Sequence, residues 1–264
     1  MGMQLDIFEQ KDASTRSREE ILSAVEKLRD YHAQGILGGE KMPEDSNPSL
    51  DKSSKDNFHY FTLPMALNYQ RNSYKLWESA VAAYEDPETN FIFSPEKVVS
   101  TSEDALRSAL MKHKVALQPN RHPSIWRTIC GTLTDHYQGD VRNLLADNSY
   151  DISLVLNDVQ IKHKKGFPYL SGHKIANYWL YVISQYTDAK LKNKTCLSIA
   201  PDTHVIQASV MLGVIESCGD QNVVRTDVAK AWEKILVGTD LSPIDVHTPL
   251  WLWSRRHFEP SIWD

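Results

Sequence analysis

Two residues whose types and surroundings suggest chemistry are Lys174 and Asp202, 28 positions apart. Lys174 closes the run Leu170-Ser171-Gly172-His173-Lys174, which leads into Ile175, Ala176, Tyr178, Trp179, Tyr181, Val182 and Ile183 at helical spacing. Gly172 can adopt a positive φ and lets another stretch of backbone come close. The first N–H groups of a helix point outward without partners, so they can receive a phosphate. Lys174 falls in the first turn, where its ammonium works against the helix dipole and against nearby lysines. Both effects lower its pKa and supply neutral amine, the form that attacks an electrophilic carbon. A solvent-facing phosphate contact is the plainer role for the same side chain.

Asp202 belongs to Ile199-Ala200-Pro201-Asp202-Thr203-His204-Val205. Pro201 forces the residue before it toward an extended conformation, and Asp202 or Thr203 can cap a helix starting at His204. Capping by itself would account for the aspartate. A carboxylate near a nucleophilic amine can also hold charge or move protons, and the two roles are compatible.

From Gln160 to Lys194 there are seven lysines (162, 164, 165, 174, 190, 192 and 194), and Asp188 is the only acid. The whole chain of 264 residues carries 29 Lys plus Arg against 34 Asp plus Glu, a net charge of -5. A basic surface must therefore be local, and a phosphate backbone is the natural partner for this segment. A merely solvated lysine face is the bland alternative.

These residues need helices to hold them. Ser17 to Gln34 reads as a helix with Ile21, Val25 and Leu28 on one face, and Glu40 to Asn57 reads as a polar surface loop or linker. The compact part is expected to begin near Phe58, which divides the chain into residues 1–57, of open packing, and residues 58–264. Further helical patterns occupy 58–84, 101–113, 124–137, 141–146 and 152–161, then 203–215 and 228–236, with an aromatic segment at 250–253. Every substantial pattern has a period near 3.6, so the fold class is mostly α. Cys130, Cys196 and Cys218 form no CxxC pair, which points to a reducing compartment. Met1 to Gln10 has no basic segment leading into an apolar one, and no apolar run approaches the ~20 residues that cross a bilayer. A protein that is cytoplasmic (or nuclear in a eukaryote), not secreted, not membrane-bound and monomeric is the expectation. The ten histidines are dispersed, without HExxH, so no metal site is expected; neither a nucleophile elbow nor a phosphate-binding GxxxxGKS/T loop occurs.

The block from Phe167 to Ala176, followed by Ala200 to Val205, resembles the helix-hairpin-helix DNA glycosylase superfamily. Its members carry a glycine, any residue, lysine hairpin entering one helix and an aspartate opening the next. The resemblance covers about Phe58 to Trp253 and implies a two-lobed helical fold. It places Lys174 on the catalytic lysine of bifunctional members and Asp202 on the essential aspartate. The 28-residue spacing is closest to the archaeal 8-oxoguanine branch. Leu67 to Arg71 is similar to the family's early helix ending in glutamine, which puts Gln70 and Arg71 near DNA at the lesion or the orphan base. His204 follows the aspartate as in many members, and Asp245 and His247 lie in a late segment that lines the base pocket in several branches. The hairpin's usual first glycine is replaced by Leu170. That glycine helps the turn approach phosphate and a monovalent cation, so a cation there is in question, and no other cofactor is expected.

The resemblance implies a partner: double-stranded DNA with one nucleotide flipped into a pocket. Lys174 would attack C1′, Asp202 would stabilise the developing positive sugar, and the imine would allow β-elimination of the 3′ phosphate. Gly172, Lys162, Lys164 and Lys165 would hold phosphates; His173 beside Lys174 is either a phosphate contact or a surface histidine. Trp126, Tyr178, Trp179, Trp251 and Trp253 are candidates for stacking on the base, and each is equally a good core residue. Three alternatives stay open: a hairpin module that binds DNA without chemistry, a monofunctional glycosylase using water, and a helical interaction protein with an accidental motif.

Overall fold

The computed structural model describes residues 16–38, 42–199, 201–215 and 221–263, with residues 221–226 described by backbone alone. Among the described residues there are twelve α-helices, linked by 3-10 turns and one π-helical turn. The only extended pairing among them is an isolated bridge between Asp151 and Lys192. The fold is mostly α, as the periodicity predicts. The chain divides into two compact units, one of residues 1–39 with 198–264 and one of residues 40–197.

The terminal unit holds α1 (Arg18–Ala33), α10 (Thr203–Met211), α11 (Gln221–Leu236) and α12 (His247–Arg255). Ser17 caps α1 through a reciprocal box with Glu20, whose backbone N–H lies 3.2 Å from the serine hydroxyl. The acids of the first turn suit the positive end of the helix dipole. The apolar stripe of Ile21, Ala24, Val25 and Leu28 is buried against Val205, Trp232 and Trp253. Trp232 donates its indole N–H to Ser209 at 2.9 Å, so the largest core side chain is also polar-satisfied. α1 is part of a core completed by helices nearly 200 residues later. An amphipathic stripe needs a partner, and α10 to α12 supply it.

The central unit holds α2 (Lys55–Thr62), α3 (Ser73–Glu85), α4 (Pro95–Ser100), α5 (Glu103–Lys112), α6 (Arg121–Tyr137), α7 (Val141–Asp147), α8 (Ile152–Asn157) and α9 (His173–Tyr186). Residues 58–84 do not form one continuous helix. Pro64 starts a 3-10 turn after α2, and Asn72 caps α3 by accepting the Lys75 N–H at 3.1 Å. Pro123 does not delay α6, because it stands in the first turn where a missing N–H costs nothing. α4 is too short to produce a readable period.

The segment 42–57 departs most from expectation. It reads as a surface linker, yet Pro43 and Glu44 are buried. Tyr178 donates its hydroxyl to Glu44 at 3.1 Å and Tyr186 donates to Asp45 at 2.9 Å, so two tyrosines of α9 strap the segment down. Its polar composition conceals this, because the contacts are hydrogen bonds and not apolar burial.

The packing of α1 predicts that Leu28→Ala lowers stability by about 2–5 kcal/mol. Glu26→Ala, on the exposed face, stays within about 0.5 kcal/mol of wild type. Urea unfolding midpoints of the two variants check this.

Candidate functional site

The hairpin that carries Lys174 is built from α8 outward. α8 passes into a π-helical turn at Asp158–Lys162, then a 3-10 turn at Lys164–Gly166. Phe167 and Leu170 are both fully buried and anchor the loop. Tyr169, between them, holds φ +63°, the left-handed region that a bulky side chain seldom occupies. Gly172 is not the left-handed residue: its φ is -64° and ψ 137°. Its missing side chain matters for the other reason the sequence offers, close approach. A Cβ there would stand 3.0 Å from the Tyr169 carbonyl oxygen, which accepts the Gly172 N–H at 2.9 Å.

α9 therefore begins at His173 with a cap that presents no side chain to the first N–H groups. His173 and Lys174 are exposed, while Ile175, Ala176, Trp179, Leu180, Val182 and Ile183 bury the opposite face. The carbonyls of Phe167, Pro168 and Tyr169 accept N–H groups of Ser171, Leu170 and Gly172 within the turn. Those three carbonyls are engaged within the turn.

Beside the hairpin stands the loop after the Pro64 turn. Tyr69, half exposed, lies with its ring centroid 5.2 Å from that of Tyr169, and the Arg121 guanidinium lies 5.0 Å from the other ring's centre. Gln70 is exposed and also left-handed, with φ +50°. Gln70 follows Tyr69, whose ring meets that of Tyr169 in the hairpin. Arg71 is spent locally: its guanidinium donates to the carbonyls of Val115 at 2.7 Å and Lys114 at 3.1 Å. Lys162, Lys164 and Lys165 line a cleft of about 450 Å³ together with His136 and His163. Tyr69, Arg121 and His136 were not readable as neighbours of this segment, since only the tertiary fold sets them beside Tyr169 and His163.

Tyr178 stands one turn beyond Lys174, and its bond to Glu44 continues the hairpin's support inward. Burial raises the Glu44 carboxyl from its ordinary 4.5 to about 7, against the opposing pull of hydrogen bonds that include Tyr178. Trp179 is fully buried and donates to Thr62 at 2.9 Å; Trp126 is buried and donates to the Ile92 carbonyl at 2.7 Å. Both belong to the core of the central unit and offer no face to a base.

Asp202 lies in the terminal unit, as the cap of α10. One carboxylate oxygen accepts the Val205 N–H at 3.0 Å and the other accepts the Trp251 indole N–H at 3.1 Å. His204 sits edge-on to Trp251 at 5.9 Å and contacts Ser254 at 3.2 Å through its Nδ1. The Arg255 guanidinium lies 4.6 Å over Trp251. The carboxylate is therefore held by two donors in a fixed orientation, with aromatic and cationic groups around it. Asp245 caps its own turn by accepting the Ser242 hydroxyl at 2.6 Å, and His247 is buried at the start of α12. Trp253 is buried and donates to the Pro260 carbonyl. Cys218 lies outside the described residues. Among the described residues, no group of three or more His, Cys, Asp or Glu is placed to hold a metal ion, and no helix is long and apolar enough to cross a membrane.

No family model matches the chain, and no curated protein matches it. Among solved structures, one of a trapped endonuclease III–DNA covalent intermediate, the estranged-adenine complex, is similar with a TM-score of 0.56. The likeness covers 93% of this chain and 90% of that one at 15% sequence identity. At that identity it is a likeness of fold. The chain has the helical fold of that endonuclease III structure. It gives no support for the archaeal 8-oxoguanine branch that the motif spacing suggested.

Two outcomes follow from this geometry. Asp202→Ala loses the cap and lowers stability by about 1 kcal/mol, whereas Asp202→Asn, an equally good cap, keeps it within a few tenths; thermal unfolding distinguishes them. Glu44 stays protonated in the folded protein above the pH at which the unfolded chain ionises. Stability therefore falls as pH rises from 4.5 to about 7, by an amount on the order of 3 kcal/mol. Urea midpoints across that window should show the decline in wild type and a flatter profile in Glu44→Gln.

Proposed function

We propose that the protein is a DNA N-glycosylase with an associated abasic-site lyase activity. The observation that carries this reading is Lys174, exposed in the first turn of α9 behind a glycine cap, within the fold of endonuclease III. A helix start without a capping side chain leaves N–H groups for a strand phosphate. The amine two residues along is then set beside the sugar of the same strand.

In this reading the target nucleotide leaves the duplex. The neutral Nζ of Lys174 bonds to C1′ as the glycosidic bond breaks, and the base departs with the bonding electron pair and takes up a proton. The amine nitrogen gives up a proton, and sugar ring opening converts the adduct to a Schiff base. Loss of a C2′ proton then expels the 3′ phosphate. Asp202 supports the reading as a carboxylate that two donors keep oriented, suited to stabilising positive charge at the anomeric carbon and to accepting the lysine's proton. Gly172, His173 and the lysines of 162–165 position the strand without reading sequence, and Gln70 meets the DNA beside the hairpin. Trp251 and His204, which flank Asp202, are the aromatic groups best placed to face a base near that carboxylate.

Incubation with a panel of single-lesion, modified-base and abasic duplexes under borohydride tests this. Wild type is expected to form a covalent adduct with at least one duplex, Lys174→Ala none, and Asp202→Asn to slow single-turnover base release by about 10²–10⁴-fold. Base release without trapping would assign the attack to water. Salt-dependent binding with neither release nor trapping would leave a DNA-holding protein.

A further inference from the structure

We propose that the cleft between α6, the π-helical turn and the Lys164–Gly166 turn is a phosphate site distinct from the start of α9, gripping one backbone phosphodiester of bound DNA. The inference rests on the DNA-binding part of the reading above. The cleft holds about 450 Å³ and is lined by Thr132, His136, Ile161, Lys162, His163, Lys164, Lys165 and Gly166. Five of these eight are cationic or can become so, and none is an acid. An anion is the complementary ligand.

The walls are fixed by close backbone approach. Thr132 donates its hydroxyl to the Gly166 carbonyl at 3.0 Å, and a Cβ on Gly166 would collide with that same threonine side chain. The 3-10 turn is thereby pressed against α6, which holds Lys164 and Lys165 at the rim. His136 of α6 and His163 lie with ring centroids 4.4 Å apart. Behind His163, on the protein side, the nearly buried Asp158 carboxylate faces its Nε2 at 3.6 Å and is held by Asn148 at 2.7 Å. The carboxylate orients the imidazole and offsets part of the charge a proton would add. Ile161, 72% exposed, supplies an apolar lip suited to a deoxyribose.

Charge in the cleft depends on pH. Burial holds His163 below its usual range; the charges acting on it are Asp158, which opposes that fall, and His136 and Lys162, which add to it. A phosphate in the cleft beside His163 favours its imidazolium form, so binding takes up a proton. Affinity for DNA therefore weakens as pH rises from about 5.5 to about 8.

The test uses the full chain and a fluorescent duplex, read by anisotropy across that pH range and from about 50 to about 200 mM salt. Lys164→Ala/Lys165→Ala is expected to reduce the slope of log affinity against log salt by about one. His136→Gln/His163→Gln is expected to flatten the pH dependence while leaving affinity at the alkaline end nearly unchanged. A control variant, Lys190→Ala/Lys192→Ala/Lys194→Ala, removes exposed charge outside the cleft and should leave the pH dependence intact. If wild type binds and both cleft variants keep its slope and pH profile, the site is wrong while the enzyme reading stands. Because Lys164 and Lys165 are exposed, that arm holds even if the histidine variant misfolds. Inorganic phosphate titrated alone, followed by histidine NMR shifts, separates the sources: tighter binding than to duplex would overturn the strand assignment. Absence of any salt-dependent duplex binding by wild type overturns both proposals, whereas a failed borohydride trap leaves this one untouched.

Discussion

The approach of the Tyr169 carbonyl to Gly172 is the contact on which the candidate site depends. It closes the hairpin with a hydrogen bond of 2.9 Å and would hold a Cβ at a tight 3.0 Å from the same oxygen. Because the cap has no side chain, the start of α9 stays open toward solvent with His173 and Lys174 on it. Any capping side chain would compete with a phosphate for the same N–H groups. Buried Phe167 and Leu170 hold the loop so that its position does not vary with its polar residues. The unfavourable φ of Tyr169 is tolerated between those anchors, and its ring gains Tyr69 and Arg121 as neighbours. A left-handed tyrosine with an aromatic and a cationic neighbour is a local conflict resolved by tertiary contacts, the pattern found where a loop serves more than packing.

Support for α9 comes from a second, less visible layer. The segment 43–45 lies along it through Glu44 with Tyr178 and Asp45 with Tyr186. Burial pushes the Glu44 carboxyl up to about 7, so it stays protonated through a range where an exposed one ionises, which reduces the cost of leaving water. On the outer side, the Thr132 bond to Gly166 holds the lysine turn to α6. The helix start, its inner strap and its outer rim are thus set by separate contacts. A change in one need not displace the others.

In the terminal unit the cap of α10 is also a well-oriented carboxylate. Val205 and Trp251 each use one of its oxygens, so the side chain has no rotameric freedom to spare. The structural and chemical roles of Asp202 coincide, which is why its sequence context could not separate them. α1 completes the core under this site, and the N-terminal helix is accordingly part of the same folding unit as Asp202 and not an appendage.

Read alone, the sequence determined the helical class, the glycine before α9, the lysine behind it, the aspartate cap and the local concentration of positive charge. Each is a matter of neighbours within a few positions, where periodicity, capping and charge spacing act directly. Tertiary structure decided what depends on residues distant along the chain. It buried Glu44 within an apparently solvated stretch, paired α1 with helices near the other end, and set His136 beside His163. It also left Gly172 extended and put the left-handed φ on Tyr169. The physical reason is the same throughout: polar contacts and close backbone approaches leave no periodic trace, because the partner that makes them necessary is supplied only when the chain folds.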